Sequence, residues 1–291
     1  MPSLLFVHAL SPLHAGTGHA VGAVDLPIAR DKATGFPYVP GSSIKGILRD
    51  AASRVPGFET TSVFGPERDN ASDHGGALLV GDANLLLLPA RSLVGTFAWL
   101  TSPWLVRRLL RDAREAGGNT PSICEPTSVG AALVGSAPVI ESSGRVVFED
   151  LDFTATRSNA VDELAAWLGK RLFPDGSPDA EAWQGLLKKK LCVVHDDAMA
   201  FFSEHGTDIV TRIAIDPTHK TVKKGALWTE ESLPTETVLV SLVAGQANGK
   251  LKDGAQAVER IRPLLDRPLQ VGGDATIGRG RCRFLLTGGA Q

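Results

Sequence analysis

The chain has 291 residues, 43% of them hydrophobic and 21% charged, with a formal net charge of -2. That supports a sizeable core and excludes a surface basic throughout, so any contact with a polyanion has to come from local patches. Three cysteines, Cys124, Cys192 and Cys282, lie far apart without a CxxC pair, which argues against a disulfide framework or a thiolate metal site and fits a reducing cytoplasm.

Residues 4–10 are almost continuously apolar, as expected of a central strand covered on both faces, and Ser11-Pro12 ends it. No basic segment precedes the run and it is short, so it reads as a strand, not as a signal peptide or a membrane span. Residues 14–35 then read as a long loop. Loops of this length inside a domain are functional or mobile, and this one holds His14, His19, Asp25, Arg30 and Asp31. An ordinary solvated aspartate is the alternative reading of Asp25.

In GFPYVPGSSIKGILRD (35–50), Pro37, Pro40 and Gly41 keep the chain out of helix until Ser42 or Ser43 caps one that runs to about residue 53. Ile44, Ile47, Leu48 and Ala51 form its buried stripe. Lys45 and Arg49 lie four apart on another face, near a helix N-terminus that favours an anion such as a backbone phosphate. A plain helix with two solvated cations fits the same spacing. Gly46 costs about 1 kcal/mol relative to alanine inside a helix, which predicts a close neighbour on that turn.

Residues 63–76 form a turn-rich connection, and 77–88 an apolar strand in which Asp82 caps a turn with Gly81. Residues 99–117 read as a loop and then a helix with Ser102 as cap and Pro103 in the first turn. Its Arg107, Arg111 and Arg114 form a stripe that grips phosphates or simply faces water. Residues 118–139 are irregular, 144–153 are one strand, and 159–170 are a helix capped by Asn159. A helix at 183–190 ends in three lysines that its macrodipole explains. Residues 191–197 make a strand-to-helix turn with Asp capping; the His195-Asp196 pair there lacks the further ligands a metal needs.

Residues 212–216 and 221–228 describe a β-hairpin carrying His219, Lys220, Lys223 and Lys224 on its tip and return arm. Such a tip wedges into a nucleic-acid strand or is merely exposed. Residues 237–244 are another core strand. The last motif, LQVGGDATIGRGRCRF (269–284), is neither a Walker loop nor a dinucleotide fingerprint. Gly272, Gly273, Gly278 and Gly280 permit close backbone approach, and Arg279, Arg281 and Arg283 alternate so that an extended chain puts them on one face. That suits a phosphodiester backbone; a structural glycine turn is the other reading.

Taken in order, LSPLHAGTG (10–18), VDLPIARDKATGFPYVPGSSIKGILRD (24–50), VFGP (63–66), GDANLLLLPARSLVGTFAWLTSP (81–103), RIAID through GALWTEESLP (212–234) and the C-terminal motif resemble the RAMP superfamily of CRISPR–Cas proteins. Within it they are most similar to backbone subunits of the type III-B (Cmr) effector. The resemblance implies one α+β domain over 1–291: a modified ferredoxin-like, RRM-like palm with a helical and loop insertion at about 54–140 and a thumb hairpin at about 212–228. It implies copies that self-associate into a helical filament on a guide CRISPR RNA, with other Cmr subunits, each cutting the paired target RNA at regular intervals. Membranes play no part in it, and a cytoplasmic location is implied.

On the same resemblance Asp25 is the key cleavage residue, accepting a proton or holding a divalent metal such as Mg or Mn, with His14 and Glu230 beside the cut. Lys45, Arg49, Ser42, Ser43, His219, Lys220, Gly272, Gly273, Arg279 and Arg281 are implied to contact RNA. Ser232 stands where relatives carry a tyrosine. A non-catalytic guide-binding scaffold is the alternative, and a relative that processes precursor guide RNA a more distant one, weakened by the lack of a histidine pair at acid–base spacing.

Overall fold

Strand β1 (Ser3–Ala9) is buried along its whole length because its two faces meet two different cores. Leu5, Val7 and Ala9 point into one and Leu4 and Phe6 into the other, which is why the sequence shows no alternation. Burying a side chain such as Leu5 or Phe6 contributes roughly 1.5–3 kcal/mol.

The computed structural model describes residues 1–18, 24–66 and 75–288. His19 and residues 67–74 of the turn-rich connection lie outside the described residues, as does the Lys224 side chain. After β1 come β2 (Tyr38–Val39), α1 (Gly41–Ser53), α2 (Thr60–Phe64), β3 (Leu78–Val80), β4 (Ala83–Ser92), β5 (Thr96–Thr101) and α3 (Pro103–Glu115). There follow β6 (Ala131–Val134), β7 (Glu141–Ser142), β8 (Arg145–Phe148), β9 (Leu151–Arg157), α4 (Asn159–Leu172), α5 (Ala180–Lys190), β10 (Leu191–Val194) and α6 (Asp196–His205). The chain closes with β11 (Asp208–Ile215), β12 (Val222–Ser232), β13 (Val238–Gly245), α7 (Ala255–Ile261), β14 (Leu269–Gln270) and β15 (Arg281–Thr287).

The fold is mixed α/β. One sheet runs in the order β14-β15-β1-β13-β4-β5-β10-β6-β9-β8-β7, with β2 and β3 paired at its side, and β11 and β12 form a separate two-stranded ribbon. Helices α1 and α7 place Ile44, Leu48, Val258 and Ile261 in the first core. Helices α3 and α4 cover the other face with Val106, Leu109, Leu110, Val161, Leu164 and Leu168. Among the described residues no helix is long and apolar enough to cross a membrane.

Several expectations are corrected. The segment 54–140 is not set apart from the sheet, since β4 lies between β13 and β5 in its middle. Residues 99–101 belong to β5, 118–139 contain β6, and 144–153 fold back on themselves as β8 and β9 around Glu149, whose φ is 50°. Helix α1 starts at Gly41, whose N–H donates to Asp82 Oδ1 at 2.7 Å. Ser42 and Ser43 therefore sit exposed in the first turn and do not cap it. Close packing falls on Gly41, where a Cβ would lie 2.4 Å from the Val80 carbonyl oxygen, and not on Gly46, which has nothing within 4 Å. Helix α3 is likewise closed from afar, by Asp196 Oδ1 accepting from Trp104 N–H at 2.9 Å. Helix α6 is capped by His195 Nδ1, which accepts from Asp197 N–H.

The ribbon is longer than the 212–228 expected and has a bulge between Ile213 and Ile215. One of its faces leaves Ile209, Ile213, Ile215, Val222 and Leu227 exposed.

Candidate nucleic-acid interface and cleavage site

The base of the ribbon organises the site. Residues 13–18 and 25–31 run alongside the end of β12: Leu13 and Leu233 exchange backbone hydrogen bonds, Leu26 N–H donates to Thr229 O at 3.0 Å, and Glu231 N–H donates to Leu26 O at 3.0 Å. This pairing fixes the exposed Asp25. Its Oδ2 accepts from Thr229 N–H at 2.7 Å and from Thr229 Oγ1 at 2.9 Å. The Thr229 backbone donor, then its hydroxyl, hold the Asp25 carboxyl below the usual carboxylate range. Asp25 is therefore a fixed anion whose Oδ1 has no partner among the described residues.

His14 lies on the same stretch of β12. Its Nδ1 is 2.6 Å from Glu231 O; a carbonyl only accepts, so Nδ1 carries the proton and a neutral ring presents Nε2 as an acceptor. The glycine-rich turn supports His14 from behind. Gly273 N–H donates to His14 O at 3.1 Å, and Gly272, at φ 73°, comes so near that a Cβ would be 1.9 Å from that oxygen. The ring also sits over Gly16, where a Cβ would be 2.5 Å from Nε2.

Alternation along β12 sends neighbouring side chains to opposite faces. Thr229 and Glu231 share the Asp25 face, where Glu231 accepts from Arg30, Thr207 Oγ1 and Ile28 N–H. Glu230 points the other way and is 3% exposed. There its Oε2 accepts from Arg212 Nε at 3.1 Å, and Arg212 Nη2 also donates to Asp274 Oδ2 at 3.2 Å. Burial first, and the facing Asp274 carboxyl next, push Glu230 up, while the hydrogen bond from Glu230 holds Asp274 down. Arg279 Nη1 donates to Ser232 Oγ at 2.8 Å and stands 3.8 Å from Glu230 Oε1.

A model of the RAMP superfamily matches residues 6–283. This chain belongs to the RAMP superfamily. The RAMP chain is 31% identical to the CRISPR system Cmr endoribonuclease Cmr4 of Pyrococcus furiosus over 287 residues, covering 97% of this chain and 95% of that one. It is 27% identical to the CRISPR system CMR subunit Cmr4 of Saccharolobus solfataricus, over 94% of this chain and 93% of that one. The crystal structure of oligomeric Cmr4 from Pyrococcus furiosus is similar at a TM-score of 0.76 and 24% identity, over 100% of this chain and 99% of that one. A cryo-EM structure of the type III-B Cmr-beta bound to cognate target RNA contains a chain similar at a TM-score of 0.74 and 20% identity, over 98% of this chain and 97% of that one. At those identities the two structures speak for a shared fold.

Asp25 is pinned on the Thr229 side of the ribbon base, while His14, backed by Gly272 and Gly273, is held on the same stretch of β12 through the Glu231 carbonyl. Glu230, expected beside the cut, is adjacent in sequence but turned to the reverse face and buried with Arg212. Arg279 leaves the expected arginine row: Gly278 and Gly280 both have positive φ, which swings it inward, and only Arg281 and Arg283 face outward from β15. Helix α1 lies against β14, which pairs with β15, so β14 stands between the helix that carries Lys45 and the strand that carries Arg281. Burial, with repulsion from Arg49, pulls Lys45 down, and it has no partner among the described residues. Arg49 is already engaged, its Nη2 donating to the Gly65 and Pro66 carbonyls. His219 and Lys220 sit at the far tip, where Asp216 accepts from His219 N–H. They are about 20 Å of strand away from Thr229.

The stripe on α3 is similarly occupied, Arg107 by Glu125 and Arg111 by Asp112. Among the described residues no group of three or more His, Cys, Asp or Glu side chains could hold a metal. A divalent ion at Asp25 Oδ1 would therefore need water or RNA phosphate for its other ligands. Thr229, Arg212 and Asp274 were missed from the sequence as site residues, whereas Arg30 stood among the polar residues of the loop. Thr229 had a signal, because period-two alternation puts it on the side of β12 opposite Glu230.

Proposed function

We propose that this protein is a backbone subunit of a type III-B RNA-guided effector that binds guide CRISPR RNA and is an endoribonuclease toward the paired target RNA. The observation that carries the reading is the exposed Asp25 carboxylate, pinned by Thr229 on the same segment of β12 that orients His14. RNA is cut by its own 2′-hydroxyl once hydroxyl, phosphorus and leaving oxygen are brought into line, so positioning supplies much of the rate. A carboxyl held below its usual range is a weak proton acceptor. Asp25 therefore orients the hydroxyl and its surroundings, and His14 Nε2 is the better-placed group to take a proton. A divalent ion such as Mg or Mn would be held by Asp25 Oδ1 with RNA phosphate and would supply charge stabilisation at phosphorus.

The palm is read as ferredoxin-like because β1-α1-β4 and β13-α7-β15 interleave in the antiparallel order β15-β1-β13-β4. The ribbon is read as the thumb, its exposed Ile213 and Leu227 suiting a wedge between bases. Guide RNA would follow Lys45 and the outward Arg281, while neighbouring copies and other Cmr subunits complete the filament in the cytoplasm. In assembled complex, Asp25→Asn is expected to bind guide and target normally and to abolish cutting. Normal cutting by that variant would leave only the scaffold reading.

A further inference from the structure

On the reverse face of the ribbon base, two carboxyls and two guanidiniums form a closed unit built from three parts of the chain. Arg212 comes from β11, Glu230 and Ser232 from β12, and Asp274 and Arg279 from the glycine-rich turn. Arg212 bridges Glu230 and Asp274 at 3.1 and 3.2 Å, and Arg279 spans Ser232 and Glu230. These are the side-chain links between the ribbon and the turn that supports His14. Asp274 sits at a φ of 61°, in the left-handed region that aspartate and asparagine tolerate best among residues with side chains. Its carbonyl also closes the turn by accepting from Ile277 and Arg279 N–H. Glu230 Oε1 is buried without a hydrogen bond among the described residues, with Arg279 Nη1 3.8 Å away.

We infer that Asp274 is a positioning residue for cleavage: with Glu230 it clamps Arg212, and so locks the ribbon base, where Thr229 pins Asp25, to the glycine-rich turn that backs His14. Neither Asp274 nor Arg212 touches the RNA in this scheme. The inference rests on the endoribonuclease reading, and it makes the relative placement of Asp25 and His14 depend on a charged unit on the face of β12 opposite Asp25. Misplacement by about 1 Å at such a site costs up to a hundredfold in rate.

The test uses the complex assembled with guide RNA, measuring single-turnover cleavage and target-RNA affinity separately. Asp274→Gly removes the carboxylate while keeping the backbone angle free of strain. It is expected to slow cleavage about tenfold or more with target affinity within about twofold. Asp274→Asn keeps an acceptor for Arg212 and is expected to recover most of that loss, which a role in stability alone does not require. Cleavage by Asp274→Gly at the wild-type rate, or equal loss of affinity and rate, overturns the inference. Absence of rescue by Asp274→Asn overturns it as well. Asp25→Asn is run beside them: normal cutting there removes the endoribonuclease reading itself, whereas a dead Asp25→Asn with an unimpaired Asp274→Gly removes the clamp alone.

Discussion

Gly272→Ala is the sharpest perturbation of the support behind His14. The residue adopts a φ of 73°, and an added Cβ would meet the His14 carbonyl oxygen at 1.9 Å, where ordinary contact begins near 3.4 Å. Turn or loop must give by the difference, roughly 1.5 Å. The left-handed angle costs about 1–2 kcal/mol for a residue with a side chain, and overpacking against backbone adds about 1–3 kcal/mol. At about 0.6 kcal/mol per degree for a chain of this length, the loss of roughly 2–5 kcal/mol lowers Tm by about 3–8 °C. Displacing His14 by more than 1 Å is expected to slow cutting about a hundredfold. Gly278→Ala is the control: its φ is 81°, but nothing lies within 4 Å, so it bears the angular cost alone, about 2–3 °C, and leaves cutting within about twofold. Thermal melts and single-turnover cleavage by assembled complex measure both. Equal effects of the two substitutions on cutting would refute the reasoning.

Thr229→Val removes the hydroxyl donor to Asp25 but keeps the backbone one; cutting is expected to fall about threefold to tenfold with target affinity unchanged, and an unaltered rate would exclude the hydroxyl from the site. Asp82→Ala removes the acceptor at the start of α1 and should cost about 1 kcal/mol in denaturant unfolding, with Asp82→Asn losing less. The Glu230 carboxyl is raised on folding, so its contribution to stability is present at low pH and is lost as pH rises through the folded pKa. Glutamine does not ionise, so the Tm of Glu230→Gln relative to the parent should rise as pH increases above the ordinary glutamate range; a flat difference would contradict the burial argument.

What the sequence made legible was periodicity and punctuation. The unbroken apolar run of β1, the interrupted one of β3 and β4, and the stripes of α3 and α4 each appear as elements where local pattern puts them. The hairpin was legible because two alternating runs flank a turn. Long-range polar pairing was not: Asp82 capping α1, Asp196 capping α3 and Arg49 gripping Gly65 and Pro66 all join residues distant in sequence. The site divides in the same way. Asp25, His14 and the two glycines stood out through loop chemistry and backbone freedom. The inward turn of Arg279 depends on two positive φ angles that alternation alone does not reveal, and the burial of Glu230 on which strand face meets Arg212.

The two borrowed helix caps bear on how the polypeptide is made. The acceptor for α1 lies 41 positions downstream and that for α3 lies 92 positions downstream. A growing chain on the ribosome therefore holds both helices with an open first turn until β4 and then α6 have emerged. Native structure is thus expected to arrive late in synthesis and in a few large steps, not helix by helix.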